Sequence, residues 1–179
     1  NGSIYQINPV TYDMERFSDA STWGALATDG ENLFFPLENH GSIGRHALNG
    51  DRAVDLNTPK PPASEQTSHL VVFQNKLFVG FYRNSDLLTY DLDSHVWATM
   101  IPADLGFNYR DVRASAVRDD KLLVTGGGTN GFYLLENGTW RKVADNTGGI
   151  GIRESDWIIS NNSKVKIVSD EGGIGESTL

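Results

Sequence analysis

The chain has no cysteine, and this excludes disulfide bridges, thiolate metal sites and cysteine nucleophiles. It also has no excess of basic residues, since 15 Lys and Arg stand against 23 Asp and Glu and give a formal net charge of −8. Proteins that follow a nucleic-acid backbone normally present a basic face to the phosphates. We therefore expect no nucleic-acid partner.

Long apolar runs and helical periodicity are missing as well. No stretch approaches the roughly 20 apolar residues of a membrane-spanning helix, so we expect no membrane insertion. No window of about 11 residues keeps apolar side chains at i, i+3, i+4 and i+7 without an interrupting Gly, Asn or Pro. The 19 glycines, with Asn and Asp between short apolar runs, are typical of many strands joined by turns. The sequence predicts an all-β protein with no helix longer than about two turns.

One glycine motif raises the question of a cofactor. Gly126, Gly128 and Gly131 spell G-x-G-x-x-G after an apolar run, where a dinucleotide-binding turn would open a helix. The next residues of the chain are "FYLLENGTWRKV", which reads as a strand, a tight turn and another strand. Without the helix we predict no cofactor, and we interpret the glycines as a loop between two strands.

A repeat of about 44 residues runs through the chain. Four segments align on a turn followed by an apolar core, namely "ALATDGENLFFPL", "LVVFQNKLFVGF", "ASAVRDDKLLVTGG" and "DWIISNNSKVKIVS". Leu33, Leu77, Leu122 and Val165 are equivalent in this register and lie 44, 45 and 43 residues apart. Each segment is two apolar strands around a short polar turn, which is the pattern of an antiparallel hairpin. Four strands per unit of this length is the size of a β-propeller blade.

A second hairpin follows in each unit. In "TYDLDSHVWATM" and "FYLLENGTWRKV" a tyrosine precedes a tryptophan by seven residues, as Tyr90 precedes Trp97 and Tyr133 precedes Trp140. With the glycine pair Gly126-Gly127, these features resemble the kelch repeat of β-propellers. Because Trp97 and Trp140 recur at one position of the repeat, we expect both to be largely buried between neighbouring blades, which leaves Trp23 as the better candidate for an exposed ring.

In this interpretation the two ends of the chain together form the fourth blade. "SIYQINPVTYDMERF" has Tyr5 and Tyr12 seven apart and resembles a second hairpin, whereas the last segment is a first hairpin followed by Gly172-Gly173. We predict one domain over residues 1–179, a small β-propeller of four blades with four antiparallel strands each. The blades are 23–57, 68–101, 113–144, and one in which 1–16 pairs with 156–175 and closes the ring. Residues 1–8 are then essential for folding, whereas 176–179 are dispensable.

Candidate binding residues lie in the loops between blades, because long connections on a rigid scaffold commonly carry function. Arg110 and Arg153 are equivalent in the repeat. We expect a mixed aromatic and cationic patch near the axis, of the kind enriched at interfaces, formed by Phe107, Tyr109, Arg110, Ile152 and Arg153, with Trp23 as a further candidate. The alternative is that the arginines pair with nearby carboxylates and hold the blade junctions.

No catalytic or metal-binding constellation is visible in the sequence. The four histidines lack the spacing of a metal site, and Asp91 with Asp93 lacks the further oxygen ligands that calcium needs. We therefore expect a non-enzymatic module that binds a protein or a glycan, in a surface, adhesin or viral attachment protein outside the cell or on a virion. One alternative is a carbohydrate-active hydrolase using Asp104, Asp111, Glu154 and Asp156. Another is half of a larger propeller that acts as a structural scaffold, completed either by the rest of a longer chain or by a second copy, in which case the protein is a dimer rather than a monomer.

Overall fold

The computed structural model describes most of the chain from residue 2 to residue 178. The described stretches are residues 2–22, 25–37, 42–50, 52–59, 67–81, 87–100, 112–118, 120–126, 132–144, 157–161, 164–168 and 174–178. Within them the secondary structure is strand and turn, with no helix. The all-β prediction is confirmed.

Seventeen strands form five antiparallel sheets in these stretches. Sheet 1 has two strands, β1 (Gly2–Ile7) and β2 (Met14–Thr22). Sheets 2, 3 and 4 have four strands each. They are β3 (Ala27–Thr28), β4 (Asn32–Pro36), β5 (Ile43–Ala47) and β6 (Ala53–Asp55); β7 (Thr67–Phe73), β8 (Lys76–Phe81), β9 (Leu87–Asp91) and β10 (Trp97–Met100); and β11 (Val112–Arg118), β12 (Lys121–Gly126), β13 (Phe132–Glu136) and β14 (Thr139–Ala144). Sheet 5 has three, β15 (Trp157–Asn161), β16 (Lys164–Val168) and β17 (Ile174–Thr178).

The repeat seen in the sequence is a repeat of cross-strand pairs. Leu33, Leu77 and Leu122 each lie in the second strand of a sheet and pair with the residue 13 positions later in the third strand. Those partners are His46, Tyr90 and Leu135. Because directly paired residues share one face of a sheet, each pair marks the same face in its own sheet.

The sheets stand side by side in chain order. The first strands of sheets 2, 3, 4 and 5 are neighbours, with β7 against β3 and β11, and β11 against β15. We call the face of each sheet that looks towards the lower-numbered sheet its front face, and the opposite one its back face. Successive side chains of a strand alternate between the two.

Sheet 3 is buried on both faces. Its front face, with Leu77, Val79 and Tyr90, packs on Phe34 and Ile43 of sheet 2. Its back face, with Phe73, Phe78 and Leu87, packs on a second cluster that includes Leu122, Val124, Tyr133 and Leu135 of sheet 4. A strand that must be apolar on both faces cannot alternate with polar residues, and this explains the continuous "KLFVGF" of β8.

The glycine motif joins two strands, as expected from the sequence. β12 ends at Gly126, β13 begins at Phe132, and the two strands pair antiparallel. The residues of the motif after Gly126 follow β12 in the chain and lie outside the described residues, so their interpretation as a loop stays a prediction. A phosphate-binding turn would instead need a helix at this point.

The predicted pairing between the two ends of the chain is not confirmed. β1 pairs with β2, and β16 pairs with β15 on one side and with β17 on the other. Closing a short local loop costs less chain entropy than joining strands from opposite ends of the sequence, and β17 therefore takes the edge that was assigned to β1. Glu176 lies in β17 and pairs with Lys166, so residues 176–178 belong to a sheet, and the expectation that they can be deleted stays a prediction.

The tyrosine and tryptophan seven residues apart are direct cross-strand partners in one hairpin and not in the other. Tyr90 pairs directly with Trp97 across a six-residue turn. In sheet 4 the tighter turn makes Leu135 the partner of Trp140 and Lys142 the partner of Tyr133. Trp97 and Trp140 are thus equivalent in the fold, whereas Tyr90 and Tyr133 are offset by two residues.

Both tryptophans are half-buried at sheet junctions. Trp97 packs against the cluster shared by sheets 2 and 3, and Trp140 against the cluster shared by sheets 3 and 4. Their position between neighbouring sheets agrees with the expectation, although neither is fully covered. Trp23 lies outside the described residues.

The indole of Trp97 fixes sheet 3 to sheet 2, because its Nε1–H donates a hydrogen bond of 3.0 Å to the backbone carbonyl of Leu56. Trp97→Phe keeps a ring in place and removes this donor. We expect the free energy of unfolding to fall by about 1–2 kcal/mol, from the lost hydrogen bond and the partly unfilled space. Urea denaturation measures the loss, with Val96→Ala at the exposed neighbouring residue as the control. An equal effect of both substitutions would show that the indole does not link the sheets.

Candidate interaction surface

The binding residues predicted from the sequence lie outside the described residues. This holds for Phe107, Tyr109, Arg110, Ile152, Arg153 and Trp23, and also for the carboxylates of the hydrolase alternative, Asp104, Asp111, Glu154 and Asp156. The patch near the axis therefore stays a prediction. Among the described residues, a candidate contact surface of exposed apolar side chains lies on sheet 1.

Sheet 1 is a second hairpin of the repeat, because its turn has the same hydrogen bonds as the turn between β9 and β10. In one turn the amide of Asn8 donates to the carbonyl of Asp13, and the amide of Tyr12 donates to the carbonyl of Asn8. In the other, Asp91 bonds to Val96 and His95 to Asp91 in the same way. Tyr12 and His95 both have positive φ, at 63° and 58°. The two hairpins are therefore equivalent, with Asn8 in the place of Asp91.

Both turns are also closed by the side chain of their first residue. The Asn8 side-chain oxygen accepts from the amides of Val10 and Thr11, and a carboxylate oxygen of Asp91 accepts from the amides of Asp93 and Ser94. Such local bonds are the reason that Asn and Asp are preferred in turns. The sequence interpretation of Asp91 as a turn residue agrees with this geometry.

The hydrogen bonds from the amide and the hydroxyl of Ser94 lower the pKa of the Asp91 carboxyl from its ordinary value of 3.8. We expect Ser94→Ala to raise the Asp91 pKa, because it removes the hydroxyl donor to the charged form. Carboxyl-carbon NMR titration would measure the change. Asp29 is a suitable control: burial alone would raise its pKa, but hydrogen bonds from Asn32 and Glu31 outweigh burial and lower it. A shift of both carboxyls would point to a general change in the fold.

The equivalence of the hairpins shows which residues of sheet 1 correspond to the packed residues of the other sheets. Ile7 pairs with Met14 as His46 pairs with Ala53, Tyr90 with Trp97 and Leu135 with Trp140. His46, Tyr90 and Leu135 are 3%, 5% and 5% exposed, whereas Ile7 is 55% exposed. Ile7 is thus the one member of this set that no neighbouring sheet covers.

The residues around Ile7 are exposed in the same way. Tyr5 is two positions earlier in β1, where Leu88 and Tyr133 stand in sheets 3 and 4. Leu88 and Tyr133 are buried, but Tyr5 is 53% exposed and Met14 is 65% exposed. Val10 and Tyr12 in the adjoining turn are also exposed. We call Tyr5, Ile7 and Met14, with Val10 and Tyr12 at their edge, the apolar front face of sheet 1.

The back face of sheet 1 is packed against sheet 2. Ile4 and Ser18 are paired and buried, and the Phe17 ring meets the His46 ring edge-on with their centroids 4.4 Å apart. One face of this sheet is therefore covered and the opposite one is open. An exposed apolar cluster on a folded protein commonly marks a contact surface.

One basic side chain lies on the apolar front face. Arg16 pairs with Tyr5 and so lies on the same face, where its guanidinium donates to the Ser3 hydroxyl at 2.8 Å. Among the residues that the structure describes, no three His, Asp or Glu side chains come together as a metal site requires. None of these residues forms a helix of the length and hydrophobicity that crossing a bilayer requires. The apolar side chains make this surface chemically suited to contact with a partner.

Sequence reasoning aligned this hairpin on the wrong pair. It matched Tyr5 and Tyr12 to the aromatic pair of the other hairpins, but Tyr12 is a turn residue and the cross-strand pair is Ile7 with Met14. The correct pair is also seven residues apart. The apolar alternation of Tyr5 and Ile7 was the signal that could have indicated an apolar face.

The fold is similar to that of known β-propeller proteins. The structure of YCF48 bound to D1 peptide matches with a TM-score of 0.71 and 12% identity over 99% of this chain and 58% of that one. A chain of the nidogen/laminin complex matches with a TM-score of 0.67 and 14% identity over 92% and 65%. Both are β-propellers. The computationally designed protein Ika4 matches with a TM-score of 0.60 and 10% identity over 90% of this chain and 93% of that one.

No protein-family model and no curated protein sequence matches the chain. The propeller resemblance predicted from the repeat is confirmed at the level of the fold, whereas membership of the kelch family is not shown. The chain spans about three fifths of the YCF48 and nidogen/laminin chains that it matches.

Proposed function

We propose that the chain is a non-enzymatic protein-interaction module of the β-propeller type, and that the apolar front face of sheet 1 is one of its binding surfaces. The observation that carries the proposal is the exposure of Tyr5 and Ile7 at positions whose equivalents in the other sheets are buried, together with the exposed Met14 beside them. Burying such side chains supplies the main favourable free energy of protein association. The propeller neighbours YCF48 and nidogen/laminin were solved with protein or peptide partners, which supports a partner of this class.

The other functions expected from the sequence rest on residues that the structure does not describe. Glycan binding, an adhesin or viral attachment role, and a location outside the cell or on a virion would use the loops that carry Phe107, Tyr109, Arg110, Ile152, Arg153 and Trp23. The hydrolase would use Asp104, Asp111, Glu154 and Asp156. The ring of four closed blades also stays a proposal.

The test is selection from a phage-displayed library of peptides and small folded domains on protein immobilised at low density. We expect binders whose affinity is lost with Ile7→Asp, because a carboxylate in the middle of the face would be desolvated without a partner. Gln6→Asp is the matched control, since Gln6 is exposed on the same strand and alternates to the opposite face. Binders that tolerate Ile7→Asp would contradict the assignment of the surface.

A glycan array and a panel of chromogenic glycosides test the other classes directly. Glycan binding with no protein binder would replace the proposed partner class. Turnover abolished by Asp111→Asn or Asp156→Asn would show that the chain is an enzyme.

A further inference from the structure

The hairpin turn between β13 and β14 carries an asparagine whose side chain can react with the backbone beside it. Glu136 and Thr139 pair directly, so Asn137 and Gly138 alone form the turn. Both turn residues are exposed and have positive φ, at 50° and 74°, as the type I′ turn of an Asn-Gly hairpin requires. This turn is on sheet 4, apart from the apolar front face of sheet 1, and its chemistry is independent of the function proposed above.

We propose that Asn137 is a site of spontaneous deamidation with water as the co-reactant. The backbone nitrogen of Gly138, after losing its proton to a solvent base, attacks Cγ of Asn137. A C–N bond forms, the bond from Cγ to the side-chain nitrogen breaks, and that nitrogen takes up a proton and leaves as ammonia. Water then opens the five-membered imide at one of its two carbonyls and returns a proton to the Gly138 nitrogen. Opening at Cγ gives Asp, whereas opening at the backbone carbonyl gives isoaspartate, in which the chain runs through the side chain.

Two features of the turn leave the attacking nitrogen accessible. In a two-residue hairpin the ladder bonds join the residues that flank the turn, and among the described residues the Gly138 amide has no hydrogen-bond acceptor. Beyond its chain neighbours, a Cβ atom at Gly138 would meet nothing within 4 Å, so no neighbouring group hinders closure of the ring. The nitrogen can therefore turn towards the side chain without first breaking a hydrogen bond.

Asn49 and Gly50 form a second exposed Asn-Gly pair, and they lack this accessibility. The Gly50 amide donates a hydrogen bond of 2.9 Å to the carbonyl of Ala47, and a Cβ atom at Gly50 would lie only 3.1 Å from Cβ of Ala47. The two pairs thus share sequence and exposure but differ in the state of the attacking amide. The net strength of one backbone hydrogen bond corresponds to about a two- to tenfold difference in the population of the free amide. We expect Asn137 to deamidate faster than Asn49 by that factor.

The two products of the reaction affect the hairpin differently. Asp is accepted in the same turn, because Asp-Gly also adopts the type I′ conformation. Isoaspartate adds one backbone atom to the turn, so Glu136 and Thr139 can no longer lie directly opposite each other. The next pair along the hairpin is Leu135 with Trp140, and both contact the cluster between sheets 3 and 4. A disturbed register displaces such packed side chains, and isoaspartate at position 137 is therefore expected to loosen this junction.

The experiment follows the folded protein over time at mildly alkaline pH, with the synthetic peptides "ALNGDR" and "LENGTW" as unfolded references. Tandem mass spectrometry of proteolytic peptides measures Asp and isoaspartate at each position. We expect the ratio of the rate at Asn137 to the rate at Asn49 to be about two- to tenfold larger in the folded protein than in the peptides. The rate at Asn137 should also rise with hydroxide concentration, because the attacking nitrogen must lose a proton.

Thermal unfolding of the products tests the effect on the fold. Protein that holds isoaspartate at position 137 should melt below the parent protein. Asn137→Asp is the matched control, since it adds the same charge without the extra backbone atom, and it should melt close to wild type.

Two results would overturn these expectations. A rate ratio in the folded protein no larger than that of the peptides would mean that the turn holds the Gly138 nitrogen away from the side chain, and Asn137 would not be the favoured site. Isoaspartate-containing protein that melts together with Asn137→Asp would show that the junction between sheets 3 and 4 tolerates the longer turn.

Discussion

Leu77→Ala is expected to lower the free energy of unfolding by about 2–5 kcal/mol, since removing a buried leucine leaves a cavity between packed sheets. Leu77 is 0% exposed and lies in the middle of sheet 3, against sheet 2. Leu122→Ala should cost about the same, because Leu122 is equally buried at the equivalent position of sheet 4. Chemical denaturation gives both values.

Leu33→Ala provides the informative comparison. Leu33 holds the same repeat position in sheet 2 but is only half-buried. It lies on the front face of sheet 2, and the neighbouring sheet 1 has only two strands to cover that face. We expect Leu33→Ala to lower the free energy of unfolding by less than about 2 kcal/mol. Leu48 is 43% exposed, and we expect Leu48→Ala to lower it by less than about 1 kcal/mol. Equal losses at Leu33 and Leu77 would show that sheet 1 is completed by a further sheet in solution.

Lowering the pH from about 6.5 to 4 is expected to destabilise the protein through His69. Burial lowers the pKa of His69 from 6.5 to about 4, so the folded state keeps the ring neutral where the unfolded chain binds a proton. Stability contributed by the neutral ring is therefore present above pH 6.5 and is lost as the pH falls towards 4. The shift corresponds to at most about 3 kcal/mol, and since the residue is partly exposed we expect less than that limit.

The test compares the pH dependence of the unfolding free energy of wild type with that of His69→Gln, whose side chain stays neutral. The variant should lose the part of the slope between pH 6.5 and 4 that belongs to the histidine. His95→Gln is the control, because His95 is exposed in a turn and its replacement should leave that slope in place. Identical slopes for wild type and His69→Gln would mean that the ring is solvated in the folded state.

The periodic part of the fold was predictable because it depends on local patterns. Apolar segments, two-residue alternation and turn residues at intervals of about 44 residues specify hairpins, and the pairs of Leu33, Leu77 and Leu122 in the structure follow that register. The aromatic register was not predictable in the same way. The spacing from Tyr133 to Trp140 equals that from Tyr90 to Trp97, but the turn lengths differ and so the cross-strand partners differ.

The sequence by itself determined that this protein is all-β, built from repeated antiparallel hairpins, acidic and without cysteine chemistry, because composition and strand periodicity act over a few residues at a time. The tertiary structure alone decided that β17 completes the edge of β16, that Ile7 pairs with Met14, and that the front face of sheet 1 stays uncovered. Strand partners and face coverage depend on which sheets meet in space. That choice is made by loop entropy and by packing between distant segments, which no local pattern in the sequence records.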